Sequence, residues 1–153
     1  MSRYNGEKKP HRNLLAWQKT MDFTVNIYQA TRNFPAEELY GLTSQLTRAA
    51  VSAPSNIAEG AAGRTKQQFS NYLSNAIGSL NEVDTQLELA LRLGYVKKPY
   101  YDGLHQSLDE CLALTYGLKK VVQKKLSSES LASAFCFVLC QFATDFCLLL
   151  TAH

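Results

Sequence analysis

The sequence predicts an all-α chain: an antiparallel up-down-up-down four-helix bundle with an apolar C-terminal extension. Three observations carry that prediction. Apolar residues recur at three- and four-residue steps through most of the chain. Glycine (8) and proline (4) are scarce in 153 residues, which excludes a sandwich with a turn about every ten residues. The breaks between periodic stretches are only a few residues long, which makes consecutive helices antiparallel neighbours. With 46% apolar and 19% charged residues, the chain can bury a core without disulfides or metals. No charged segment followed by an apolar core opens it, so no signal peptide is expected and the expected location is cytoplasmic. Cys111 stands alone, while Cys136, Cys140 and Cys147 fall in the last 23 residues without a C-x-x-C pair. They read as small hydrophobes in a reducing compartment.

The element boundaries follow from local chemistry. Residues 1–13 are polar and basic and are broken by Gly6 and Pro10, so a flexible arm is expected. Residues 14–128 carry the bundle, and 129–153 an apolar, repeat-like tail. Asn13 is expected to cap a first helix to about Asn33, stopped by Phe34 and Pro35. Leu14, Trp17, Met21, Val25 and Tyr28 mark one apolar side of it; Ala16, Phe23, Ile27, Ala30 and Phe34 mark another. A helix apolar on two sides needs two neighbours.

A second helix is expected from Pro35 or Ala36, with Leu39, Leu42, Leu46, Ala49, Ala53 and Ile57 as its core stripe. Pro54 removes one backbone donor inside it, bending it near Ala50, and Gly60 and Gly63 end it. Thr65 and Gln68 form a capping box for the third helix. There Phe69, Leu73, Ala76, Leu80, Val83, Leu87 and Ala90 follow at alternating steps of 4 and 3, an a/d seam closed by Gly94. The fourth helix begins near Pro99 and carries Leu104, Leu108, Cys111, Leu118 and Val122 to about Leu126.

Residues 131–153 are a different text, with 17 apolar residues of 23 and one charge, Asp145. Residues 132–139 return in similar form as 143–150. Three readings stay open. The tail packs against copies of the chain, or lies in a membrane at a cost of about 2.5–3.5 kcal/mol for Asp145, or is a translated repeat without a selected role.

Motifs for chemistry are absent from the sequence. No Glu lies three residues before any of the three histidines, as a di-iron bundle requires, and no phosphate loop, dinucleotide fingerprint or G-x-S-x-G occurs. No metal or other cofactor is expected. Cys111 and His105 are six apart on one helix, about 240° around it, so they do not form a nucleophile and base. Two polar stripes are less bland: Arg48, Ser52, Asn56 and Glu59 on helix two, and Asn75, Ser79, Glu82 and Gln86 on helix three. They read as a hydrogen-bonded network or an oligomer interface. Glu59 and Glu82 as an acid–base pair would be the enzymatic alternative.

Sixteen Lys and Arg against thirteen Asp and Glu give a net charge of only +3. Bundle topology nonetheless gathers cations at one end: Arg3, Lys8, Lys9 and Arg12 from the arm, Arg64 and Lys66 from the turn between helices two and three, and Lys119, Lys120, Lys124 and Lys125 from helix four. Glu7, Glu59 and Glu129 are the acids expected nearby. Such a pole either forms a phosphate-binding footprint or merely complements the dipole at the end of helix four.

The run from Leu39 through Arg48, Pro54 and Asn56 to Glu59-Gly60 resembles the signature of the four-helix-bundle proteins encoded in 23S rRNA intervening sequences. Trp17-Gln18-Lys19 upstream and Phe69, Leu73, Ala76, Gly78-Ser79, Glu82 and Leu93-Gly94 downstream extend the likeness over roughly residues 14–126. That family is similar in fold to accessory proteins of diversity-generating retroelements. The resemblance implies a bacterial homo-oligomer, a pentamer, whose basic surface engages RNA, a reverse transcriptase or another protein partner. It implies no catalytic residue. A non-enzymatic, self-associating bundle is therefore the expectation, with a purely structural scaffold or a tail-mediated membrane association as its rivals.

Overall fold

The structure, a computed structural model, describes the backbone of residues 9–150 and the side chains of residues 9–126. Four helices, α1 (Leu15–Thr31), α2 (Leu42–Ala62), α3 (Lys66–Arg92) and α4 (Lys98–Leu150), pack in chain order, and α4 closes against α1. Among the described residues there is no strand. Contacts fix the crossings as antiparallel. Ser52 meets Ser79 and Gly60 meets Phe69 between α2 and α3; Asp84 meets His105 and Glu88 meets Tyr101 between α3 and α4. The expected all-α bundle is the fold.

The α3 seam is the centre of the core. Leu73, Ala76, Leu80, Val83, Leu87 and Ala90 are fully buried, 0% exposed, as the alternating spacing requires. Thr65 accepts the Gln68 backbone N–H at 3.1 Å, capping the helix start. At its end Gly94 adopts φ +78°, and the N–H groups of Tyr95 and Gly94 donate to the carbonyls of Ala90 (2.9 Å) and Leu91 (3.0 Å). That is a Schellman termination, which the glycine makes free of Cβ strain.

Pro54 lies in α2 without ending it. Because proline has no N–H, the Ala50 carbonyl four residues earlier loses its helical donor. The Thr24 hydroxyl of α1 reaches that carbonyl at 2.9 Å, and also lies 2.7 Å from its own Thr20 carbonyl. A threonine that the sequence pattern passed over therefore satisfies an orphan acceptor and joins two helices.

Several expectations need correction. Asn13 does not cap α1: it closes a 3-10 turn, Pro10–Asn13, and Leu14 stands at the N-cap without a side-chain bond. Residues 10–13 thus pack as a turn against α1 and α2 rather than extending as arm. The second helix does not start at Pro35; Ala36–Leu39 form a 3-10 turn, and α2 begins at Leu42 after Gly41. Its first donor is satisfied instead by the Glu38 carboxylate, which accepts the Leu42 N–H at 2.8 Å and the Tyr95 hydroxyl at 3.2 Å. Leu39, placed in the core stripe, is 56% exposed because it belongs to that turn. Gly60 does not terminate α2 but sits buried within it, where a Cβ would lie 2.6 Å from the Phe69 ring and 2.8 Å from Tyr72 Cβ.

Two further differences bear on function. The Ala16, Phe23, Ile27, Ala30 and Phe34 side of α1 is buried, but on the other side Met21 (38%), Val25 (52%) and Tyr28 (49%) are exposed within one chain. Both α2 and α4 pack against α1, yet neither covers these three residues. Helix α4 does not stop near Leu126 but continues as backbone to Leu150, a 53-residue helix about twice the length of α3.

A pair of alanine substitutions tests the α2–α3 approach in urea unfolding. Gly60→Ala is expected to destabilise by about 1–3 kcal/mol, because neither the ring nor Tyr72 Cβ can yield cheaply. Gly78→Ala, on an exposed face with nothing within 4 Å of its Cβ, is expected to stabilise by about 0.5–1 kcal/mol.

Candidate nucleic-acid interface

One end of the bundle is built from all four helices. Ala16 from α1, Ile57 from α2, Leu73 and Ala76 from α3 and Val122 from α4 form a single buried cluster, with Leu14, Trp17, Phe69 and Leu118 packed around it. This cluster places the 3-10 turn, the α2–α3 turn and the Leu118–Val122 stretch of α4 together. The cations therefore share an end as the topology requires. Lys9 and Arg12 stand on the turn, Arg64 and Lys66 between α2 and α3, and Lys119, Lys120, Lys124 and Lys125 on α4. Lys66 and Lys119 are half-buried and the other six exposed. Arg3 and Lys8, also expected here, lie outside the described residues, as do Glu7 and the Glu129 side chain.

Charge balance separates this end from its opposite. There, Arg92 pairs with Glu88 at 2.8 Å, Lys98 pairs with Asp102, and Glu38 is tied to Tyr95 and Leu42. Along the flank, Lys19 pairs with Glu110 at 2.9 Å. At the basic end, Arg12, Arg64, Lys119, Lys120 and Lys124 form no ion pair among the described residues. Lys120 and Lys124 are also i,i+4 neighbours, a like-charge pair that weakens a helix.

The dipole explanation for these lysines does not hold. The macrodipole acts within the last helical turn, and α4 runs some 25 residues beyond Lys125. A tilted stack of His11 on Trp17, centroids 5.0 Å apart, roofs the hydrophobic cluster beside the cations. Burial there, and then the charges of Lys9 and Arg12, hold the His11 imidazole below its ordinary pKa.

The polar stripes meet only in part. Ser52 Oγ and Ser79 Oγ lie 2.8 Å apart across α2 and α3; Asn56 donates to the Ser52 carbonyl at 2.8 Å and to its hydroxyl at 3.1 Å. Ser79 lies 3.0 Å from the Asn75 carbonyl, and Gln86 donates to Glu82 at 3.0 Å. Arg48 and Glu59 are exposed and join no hydrogen bond or ion pair among the described residues. The Ser52–Ser79 register puts Glu82 level with Ala49, about 15 Å along the axis from Glu59 at 1.5 Å per residue. The two carboxylates are thus not brought to one reacting centre. Gln86, buried with an unpaired Oε1, was the member of these stripes whose burial the pattern did not reveal.

Cys111 is buried in the core, where desolvation pushes its thiol up to about 12. His105 lies instead between Asp84 and Asp109, 3.4 Å from each, so the two do not act as a pair. Among the described residues no group of three or more His, Cys, Asp or Glu could hold a metal ion, and no helix is long and apolar enough to cross a membrane. The membrane reading of the tail falls on side chains outside the described set.

The family described as 23S rRNA-intervening sequence protein matches residues 12–117. The chain belongs to that family. A solved structure from Bacteroides thetaiotaomicron, described as a protein with unknown function from the S23 ribosomal protein family, is similar to it. The two are 24% identical with a TM-score of 0.65, over 69% of this chain and 96% of that one, which is a likeness of fold. No curated protein matches the chain. The family match ends within α4 at residue 117, so the four α4 lysines and the tail lie beyond it in this member. The family description indicates no catalytic function.

Two measurements follow from this geometry. The His11 ring resonances should titrate below the ordinary imidazole range, and their midpoint should rise when an oligonucleotide binds, because bound phosphates offset Lys9 and Arg12. Mass mapping after iodoacetamide should leave Cys111 unmodified at pH 8 in the native chain and alkylated in urea, since only the thiolate reacts.

Proposed function

We propose that this family member is a non-enzymatic, self-associating cytoplasmic bundle that binds RNA or a nucleoprotein partner through its basic end. The observation that carries the reading is the cluster of mid-helix lysines on α4 at the same end as Arg12 and Arg64, of which Lys119 and the i,i+4 pair Lys120 and Lys124 form no ion pair among the described residues. A helix placed there for stability alone would intersperse opposite charges at i,i+4; one that meets phosphates would not. Among the described residues no exposed set of aromatic rings accompanies the cations, the His11 and Trp17 rings being half-buried against each other, so recognition is by charge and shape. Self-association is supported by the exposed Met21, Val25 and Tyr28 stripe of α1, continued by Val51 of α2. The homopentamer and the reverse-transcriptase partner implied by the resemblance belong to this proposal, not to the geometry.

The test is RNA affinity of the full chain at several salt concentrations, beside a variant with Lys119, Lys120, Lys124 and Lys125 all changed to Ala. Each phosphate contact contributes about 0.7–0.9 to the log–log salt slope. The variant is expected to flatten the slope by about 3–3.5 if all four lysines meet phosphates, and to keep its stability within about 0.5 kcal/mol. No binding by the wild type at low salt would retire the nucleic-acid reading and leave an interaction scaffold.

A further inference from the structure

The groove between α3 and α4 changes character along its length. Its register is fixed by the Asp84–His105 and Glu88–Tyr101 contacts, which set Leu73 level with Tyr116 and Lys66 level with Gln123. Away from the cations, the side chains of the groove answer one another. Tyr101 donates its hydroxyl to Glu88 at 3.1 Å, sets its ring against His105 with centroids 5.6 Å apart, and carries Lys98 Nζ 4.9 Å from its ring centroid. His105 in turn lies between the carboxylates of Asp84 and Asp109. Toward the basic end the acids stop. Residues 66–81 of α3 and 111–126 of α4 face each other in this register and contain five lysines and no Asp or Glu. Glu59, the acid described at this end, stands on α2.

Tyr116 stands in the acid-free stretch of α4, 53% exposed. It follows His105 by about three helical turns, so it takes the same α3-facing side of α4. By the same count Lys66, about five turns before Asp84, takes the α4-facing side of α3. Lys120 and Lys124 follow Tyr116 at four-residue steps, both exposed. Unlike Tyr101, Tyr116 makes no hydrogen bond, ring contact or cation contact among the described residues. We propose that this groove holds single-stranded RNA, one unpaired base stacking on Tyr116 while Lys120 and Lys124 meet the neighbouring phosphates. The inference rests on the RNA half of the proposed function and gives it a ligand class. Every base has a π-face, so a single ring reads no sequence. It does tell an unpaired base from one stacked inside a duplex, which is the shape half of that recognition. The α1 stripe borders α2, where Met21 lies near Val51 and Tyr28 near Thr47. In a bundle packed in chain order that side lies across from α3 and α4, so RNA and a second copy do not compete for one face.

Fluorescence anisotropy of a labelled oligouridylate, alone and annealed to oligoadenylate, tests the groove with the full chain. Tyr116→Ala is expected to weaken single-strand binding by about tenfold or more. Its salt slope should match the wild type, because a stacked ring releases no counterion. Tyr116→Phe keeps the π-face and is expected to bind as the wild type does. Duplex affinity should change in neither variant. Tyr40→Ala, at a site 91% exposed on the opposite end, is the control and is expected to leave binding unchanged. Wild-type affinity in Tyr116→Ala, equal loss on single strand and duplex, Tyr116→Phe as weak as Tyr116→Ala, or equal loss in Tyr40→Ala would each overturn the stacking. Wild-type affinity in Tyr116→Ala beside lost binding in the four-lysine variant would overturn the groove and spare the basic end. A wild type that binds neither probe would overturn both.

Discussion

The arrangement of the whole bundle depends on the burial of one seam. Helix α3 is flanked by α2 and α4, and its six fully buried seam residues leave no freedom to rotate or slide without exposing one of them. At about 25 cal/mol per Å² of apolar surface, even one such residue moved to water is a large fraction of a domain's net stability. The register that follows sets Ser52 against Ser79 and Gly60 against Phe69, and it decides which turns share an end. That the 3-10 turn, the α2–α3 turn and the Leu118–Val122 stretch share an end is thus a consequence of core packing. Nothing local to Arg64 or Lys120 would bring them near each other.

The bundle accommodates its irregularities by pairing them. Proline in α2 frees a carbonyl, and a buried threonine of α1 reaches it. A glycine in α2 admits the Phe69 ring. The first N–H of α2 is capped by Glu38, which also holds the Tyr95 hydroxyl of the α3–α4 connection. Each device couples two segments distant in sequence, so each helps specify one packing among the several that an apolar pattern alone would allow.

Charge is distributed on a different logic at the two ends. Opposite the basic end, Arg92 with Glu88 and Lys98 with Asp102 neutralise one another one helical turn apart, and the Tyr101 hydroxyl donates to Glu88 across α3 and α4. At the basic end, cations gather on three segments, and α4 passes through them and onward. A pole of this kind costs the isolated chain some repulsion, which an anionic ligand would relieve. The α1 stripe makes the complementary statement for apolar surface, since it is patterned for burial and one chain does not bury it.

Much of this was legible in the sequence, for identifiable reasons. Periodicity revealed the four helices, the α3 seam, the capping threonine and the Gly94 stop, because each is a local pattern of spacing or of a single residue's conformational freedom. Topology applied to charge is what proposes the basic end, since short connections leave few ways to order four helices. The sequence did not reveal that Pro35 opens a 3-10 turn instead of α2, that Thr24 answers Pro54, or that Gln86 is buried with an unpaired oxygen. It also placed Arg48 and Glu59 in a network that only Ser52, Asn56, Ser79 and their neighbours form. Those outcomes turn on which partner lies across a helix crossing, within an ångström or two, and no one-dimensional pattern carries that distance. Local spacing determined which faces seek burial; tertiary packing alone decided which of them found a partner within the chain and which remain exposed for another.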